Sequence, residues 1–237
     1  MKHLFTFLFL ISLAYNTNAQ AISQPSSGGN QKASVTQWIG PVEVTINYSS
    51  PDVHAPDGSD RKGHIWGELV HYGFIDQNFG TSKAAPWRAG ANENTTIRFS
   101  HDVKIGGKDL KAGTYGLFLA LDKTGPWTWI FSKNSESWGS YFYDEKEDAL
   151  RVTTQPADAA YTEYLTYGFD DRQPNSATAY LQWENKKIPF KIEAAANDIY
   201  LAKIKNELRS YPGFDYRNLE AAAQFAVQNR DNSEVHS

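Results

Sequence analysis

Three stretches of the chain bring chemically capable residues close together. The first is Pro86-Trp87-Arg88-Ala89-Gly90-Ala91-Asn92-Glu93. A tryptophan offers a flat apolar surface on which a sugar or other planar ligand stacks. A guanidinium offers a planar fork that matches a carboxylate or phosphate. Asn92 and Glu93 add polar groups that would complete a pocket. The second stretch holds His54, His64 and His71 among Asp52, Asp57, Asp60 and Glu68. The third, Tyr143-Asp144-Glu145-Lys146-Glu147-Asp148, carries four acids.

Each stretch also has a structural reading. Around Gly90 the chain can turn tightly, which lets Arg88 pair with Glu93 while Trp87 is buried and Asn92 bonds its own backbone. Paired arginines at sheet corners are common, so this corner reading is preferred over a ligand pocket. Zinc needs three or four converging N or O ligands. His64 and His71 share a face only if the whole stretch is helical, Gly67 weakens that, and no HExxH motif occurs. Neither zinc there nor calcium through Asp57 and Asp60 is expected. A glycosidase needs two carboxylates at a defined separation, whereas the four acids around Lys146 read as a solvated turn. No G-x-S-x-G elbow, phosphate loop or dinucleotide fingerprint is present.

The elements that must position these groups are mostly strands. In Val42-Glu43-Val44-Thr45-Ile46-Asn47-Tyr48 the apolar residues alternate with polar ones, the mark of a half-buried strand. Ala33–Ile39 precedes it across Gly40-Pro41. Further strands are read at 95–100, 103–105, 108–110, 114–121, 127–131, 149–154, 162–169, 177–183 and 188–192. Gly106-Gly107 marks a two-residue hairpin, and Asn185-Lys186 a second turn. Residues 49–90 show no sustained period and are long for a loop, which points to a functional segment; a short helix is read near Ile65–Tyr72. After the strands, Asn197 is read as a helix N-cap before Tyr200, Leu201, Ile204 and Leu208. Tyr211-Pro212-Gly213 stops that helix, and Leu219, Ala222, Ala223 and Ala226 form the stripe of a second. The chain is too short beyond it for a full helical repeat array.

Composition narrows the function classes. The 237 residues include no cysteine, which excludes a disulfide framework, cysteine-ligated zinc and a cysteine nucleophile. A net charge of −4 argues against nucleic acid as a partner. Met1 to Ala19 has the build of a secretory signal peptide: Lys2, an apolar run from Leu4 to Leu13, and small Thr17 and Ala19 before a cleavage site. That run is too short to span a bilayer, which takes about twenty residues, and no cysteine follows it for lipid attachment. Residues 20–31, rich in Ser, Gly and Pro, read as a flexible leader.

The run Pro86–Ile97 resembles the signature of a family of secreted Bacteroidota domains of unknown function. The resemblance continues through Asp102–Leu110, Ala112–Phe118 (AGTYGLF), Trp138-Gly139-Ser140-Tyr141, Tyr143-Asp144 and Leu150-Arg151-Val152, and covers about Lys32 to Glu193. It implies export and a β-rich fold and brings no activity. The stretch between Pro51 and Pro86 is longer than the family pattern, with His54–Asp60 as inserted sequence.

These readings give an all-β antiparallel sandwich, jelly-roll or immunoglobulin-like, over residues 32–194, with a helical hairpin over 197–229. The leading functional expectation is an exported, periplasmic or extracellular binding module with no cofactor. Its partner would be a small ligand, a glycan or peptide, or another protein. The candidate ligand-binding residues are Trp87, Arg88, Asn92, Glu93, His64 and His71. The alternatives are a hydrolase or metal-assisted enzyme built on loop 51–93, and a structural domain that docks through its tail.

Overall fold

The computed structural model describes residues 30–234, with side chains to residue 229. The stretch read as a signal peptide and most of the stretch read as a leader lie outside these residues. Ten antiparallel strands form two sheets that pack face to face as a sandwich. One sheet has the order β1-β2-β3-β6-β7-β8, where β1 is Gln31–Ile39, β2 Val42–Ser50, β3 Thr96–Phe99, β6 Gly113–Ala120, β7 Trp127–Ser132 and β8 Asp148–Thr154. The other has the order β5-β4-β10-β9, where β4 is Val103–Ile105, β5 Lys108–Leu110, β9 Ala157–Gln173 and β10 Ser176–Ala194. The alternation read in β2 holds: Val42, Val44, Ile46 and Tyr48 are buried.

Aromatic side chains join the two sheets. Trp129 and Phe131 of β7 meet Phe190 of β10 edge-on at 5.1 and 5.6 Å. Full burial of such a side chain stabilises by about 1.5–3 kcal/mol, and each edge-on pair adds about 0.5–1.5 kcal/mol. At the β4–β5 hairpin Gly106 and Gly107 both have positive φ, +54° and +80°, as a two-residue turn of this kind requires.

Three elements differ from the sequence reading. Residues 65–72 are not helical. Gly67 sits at φ +91° with the Tyr72 ring against its Cα, and the segment closes through Val70 N–H to Ile65 C=O instead. Asn185-Lys186 is not a hairpin turn. β10 runs through it, and the irregularity is a bulge at Glu184, whose φ is +52°. The real turn lies between Gln173 and Ser176. Glu184 is buried, and its carboxylate accepts the Gly63 N–H, so the bulge fastens the long loop to the sheet. Asn197 does not cap helix α1, Ala196–Glu207. Ala195 holds the cap position without a side-chain bond, and Asn197 falls within the first turn.

The second helix, α2, spans Tyr216–Glu234, beyond the Asn229 boundary read from the sequence. The Asp215 carboxylate accepts the Arg217 N–H at its start. The two helices form a hairpin joined through a 3-10 turn at Tyr211–Phe214. Among the described residues no helix is long and apolar enough to cross a membrane.

Candidate functional site

Residues 87–95 run beside β6 but leave it midway. Trp87 and Leu119 exchange two backbone hydrogen bonds, 3.1 and 2.8 Å, and Leu117 N–H returns the chain to register at Thr95 C=O. Between these points residues 88–94 bulge out as a corner. Ala89 and Asn92 adopt left-handed backbone, φ +49° and +56°, which costs a non-glycine residue about 1–2 kcal/mol. The surroundings hold that strain in place. Ala89 C=O accepts the Tyr167 hydroxyl at 2.7 Å and the Thr95 hydroxyl at 3.2 Å, and Ala91 N–H donates to Ser49 C=O. Gly90 is required: a Cβ there would stand 2.5 Å from Thr95 Oγ1.

The corner faces a cavity of about 370 Å³ formed almost wholly by the long loop. Pro51, Asp52, Arg61, Leu69, His71, Gln77, Trp87, Arg88 and Asn92 line it, with Trp183 of β10 behind them. Four of the six candidate residues therefore meet in one place. Trp87 is only 9% exposed, and its ring is stacked on Trp183 at 6.1 Å and meets Trp66 edge-on at 5.9 Å. It serves as a rigid wall, and one of its faces is already occupied.

Arg88 does not pair with Glu93. It donates from Nη1 to Asn92 C=O at 2.6 Å and lies 4.9 Å from the centre of the Tyr141 ring. Gly139, at φ +58°, lets the guanidinium pass so closely that a Cβ would stand 2.4 Å from it. Segment Trp138–Tyr141 thus clamps the Pro86–Glu93 corner, and two stretches far apart in sequence form one device. Among the described residues Arg88 has no carboxylate within salt-bridge distance. The Asn92 side chain does not close a turn on its own backbone; its Oδ1 accepts from Asn30 Nδ2 at 3.1 Å.

His71 is half-buried. Nδ1 lies 3.5 Å from Tyr72 C=O, and Nε2 is buried without a partner. Burial lowers its pKa below the ordinary histidine value, only partly offset by the Tyr72 and Gly73 backbone, so the ring is neutral at pH 7. Asp52 is the one carboxylate among the described lining residues, and it stands 3.8 Å from Arg61. The Arg61 guanidinium is fixed by Val53 and Asp52 carbonyls.

Glu93 and His64 lie elsewhere. Glu93 turns to the other side of the corner, onto Lys32 at 2.9 Å and the Ser49 hydroxyl. The Lys32 bond holds its carboxyl below the usual range. His64 is exposed and bonded to Glu68. Among the described residues no group of three or more His, Asp or Glu side chains is placed to hold a metal ion.

Sequence reasoning missed Gln77, Asp52, Arg61 and Trp183 as lining residues, and only the Trp138–Tyr141 run signalled the clamp. It also missed a polar cluster at the start of β8. There the Asp148 carboxylate accepts from the Tyr143 hydroxyl at 2.8 Å and from Arg151 Nε at 2.6 Å, while its Oδ1 is buried without a partner. Burial raises both Asp148 and Tyr143. The acids before Asp148 behave as read, in a solvated 3-10 turn at Glu145–Glu147 that Asp144 caps.

The profile of a family described as protein of unknown function (DUF2911) matches residues 30–192. The chain belongs to this family. The DUF2911 region takes in both sheets almost entirely, with the cavity and its clamp, and stops two residues short of the end of β10. The helical hairpin follows it. No curated protein and no solved structure matches the chain significantly.

Proposed function

We propose that this DUF2911 domain is an exported binding module, and that the cavity enclosed by the long loop is where it binds a small soluble molecule. One observation carries the reading. The cavity is lined by Arg88, held rigid by Tyr141 and Asn92 yet without an acidic partner among the described residues, and by the half-buried His71. A guanidinium with no acidic partner offers its fork to a carboxylate or phosphate. Binding is favoured over hydrolysis because Asp52 stands alone as a carboxylate in the described lining, where a glycosidase would need two. A volume of about 370 Å³ is at the small end of ligand sites, which span about 300–1,000 Å³. The signal peptide read over residues 1–19 supports export.

Thermal unfolding in the presence of a library of small polar metabolites tests this. A ligand at a hundred times its Kd stabilises by about 2.7 kcal/mol, which raises Tm by several degrees in the parent and not in His71→Phe. A library in which every stabilising compound acts equally on parent and variant would count against the cavity.

The hairpin supports a second role that is compatible with the first. Tyr211 and Phe214 are 88% and 90% exposed at its tip, more apolar surface than a helix turn needs for its own packing. Docking of the tail on another protein would use them. Removing residues 197–237 should abolish such docking and leave ligand binding intact.

A further inference from the structure

Helix α2 has two apolar faces, and the hairpin uses one of them. Phe225 meets Tyr200 of α1 edge-on at 6.1 Å, and Ala222 and Phe225 line the groove between the helices with Ile204 and Leu208. Tyr216, Leu219, Ala223 and Val227 follow one another at intervals of three or four residues, so they share a different face, about opposite Phe225. All four are exposed, Tyr216 by 74%, Leu219 by 49% and Val227 by 62%. The small-residue stripe read from the sequence is thus divided between the two faces, with Ala222 on the inner and Leu219 and Ala223 on the outer. A long apolar face on a helix already packed on its other side is the mark of an interaction surface.

Charge and size decide what covers it. Between Tyr216 and Asn229 the charged residues are Arg217 and Glu220. Arg217 is already paired with Asp215 at 2.7 Å, which leaves Glu220. A lipid surface calls for a basic flank, which this stretch lacks. A second copy of α2 fits better. The face is symmetric in size about Ala223, with Leu219 four residues before it and Val227 four after. Two such helices, antiparallel about a two-fold axis at Ala223, set small against small at the centre and Leu219 against Val227 on either side. The two Glu220 carboxylates then lie on opposite sides of the axis, about 9 Å apart along the helices. Tyr211 and Phe214, 88% and 90% exposed, stand in the turn just before α2. With the stripe they offer roughly 700–800 Å² per copy, close to the ~800 Å² that each partner of a specific interface buries.

We propose that the outer face of α2 is a homodimer interface, packed antiparallel on its own copy about Ala223. The inference rests on the docking role of the hairpin, whose partner it names, and is independent of the cavity. Sedimentation equilibrium of the purified protein should show a reversible monomer–dimer equilibrium, with dimer the main species above roughly 100 µM. Ala223→Glu sets two like charges against each other on the axis and should weaken association at least about tenfold. Its circular dichroism should stay that of the parent, because Ala223 is exposed. Ala223→Lys alone should behave in the same way. Mixed in equal amounts, the two variants should form a heterodimer, since residue 223 meets its own counterpart only on the axis. A protein that stays monomeric well above that concentration overturns the proposal and leaves docking of the tip on a different protein untouched. A dimer that Ala223→Glu leaves intact also overturns it, as do two monomeric variants whose mixture stays monomeric. Sedimentation of a monomeric protein with phosphatidylglycerol vesicles, lost in Ala223→Glu, would assign the face to lipid and overturn it as well.

Discussion

Replacing Gly139 with alanine probes the clamp that holds Arg88 at the cavity. The new Cβ would stand 2.4 Å from Arg88 Cζ and Nη1, far inside contact distance, and the backbone there is left-handed at φ +58°. The backbone cost alone is about 1–2 kcal/mol. The guanidinium must also leave its place. It then gives up a hydrogen bond to Asn92 C=O, about 1.5–3 kcal/mol for a charged donor, and its contact with Tyr141, about 0.5–1 kcal/mol. Gly139→Ala should therefore destabilise by about 3–6 kcal/mol. Arg88→Ala loses only the last two contributions, about 2–4 kcal/mol. In a chain already lacking the guanidinium the steric conflict is gone, and Gly139→Ala should cost only the backbone term of about 1–2 kcal/mol. Urea unfolding of the two single variants and the double variant measures the coupling, expected at about 2–4 kcal/mol. If Gly139→Ala costs the same in both backgrounds to within about 0.5 kcal/mol, the clamp does not exist as described.

Other outcomes follow from the same geometry. Arg88→Ala and Glu93→Gln should be additive in urea unfolding, because Glu93 bonds Lys32 and Ser49 instead; the Lys32 pair is largely exposed and worth under about 1 kcal/mol. Gly90→Ala should destabilise by about 1–3 kcal/mol through its clash with Thr95 Oγ1, and a denaturation midpoint equal to the parent's would show the corner to be loose. Glu163, bonded by Tyr161 and His54, is held down to about 2, so its stabilising effect is present above the unfolded carboxylate range and is lost as pH falls from about 4.5 toward 2. His54 is raised chiefly by that same carboxylate, so its contribution is complete below about 6.5 and is lost as pH rises through its elevated value. Glu163→Gln should flatten stability across the acid window and lower His54 toward the ordinary histidine value in an NMR titration; an unmoved His54 would refute the pairing. Mass spectrometry of the exported protein should find Gln20 at its N-terminus, and intact Met1 in that fraction would refute the signal-peptide reading.

Where one face of an element is buried, the sequence was legible. Val42 to Tyr48 alternate because a strand with one face on the core must, and Gly106-Gly107 announce a turn that only left-handed backbone can make. Of the corner reading, the burial of Trp87 holds, while the Arg88–Glu93 pair and the Asn92 turn do not. Its residue types pointed to Trp87, Arg88, Asn92 and His71, which the long loop brings together. The Arg88–Glu93 pair failed because the path between them passes through left-handed backbone at Ala89 and Asn92, and neither residue type announces it. That path sends the two side chains to opposite sides of the corner. Likewise Asn185-Lys186 carry turn chemistry, but Glu184 beside them takes the positive φ and anchors the loop through Gly63, so the strand continues. The apolar spacing at Ile65 to Tyr72 imitates a helix, while the Tyr72 ring on Gly67 fixes another path. At Ala89 and Glu184 a long-range contact, to Tyr167 and to Gly63, overrides a local pattern, and at Gly67 a ring five residues on does so.

We place binding by this domain in the cavity lined by His71 and Arg88. A crystallographic screen of small polar fragments checks this, because it reports location without assuming a ligand. Hits should concentrate in the cavity, with acidic groups on Arg88. Hits that gather instead in the groove beside Phe74, Lys83 and Arg151, or between the two helices, with the cavity empty, would contradict it.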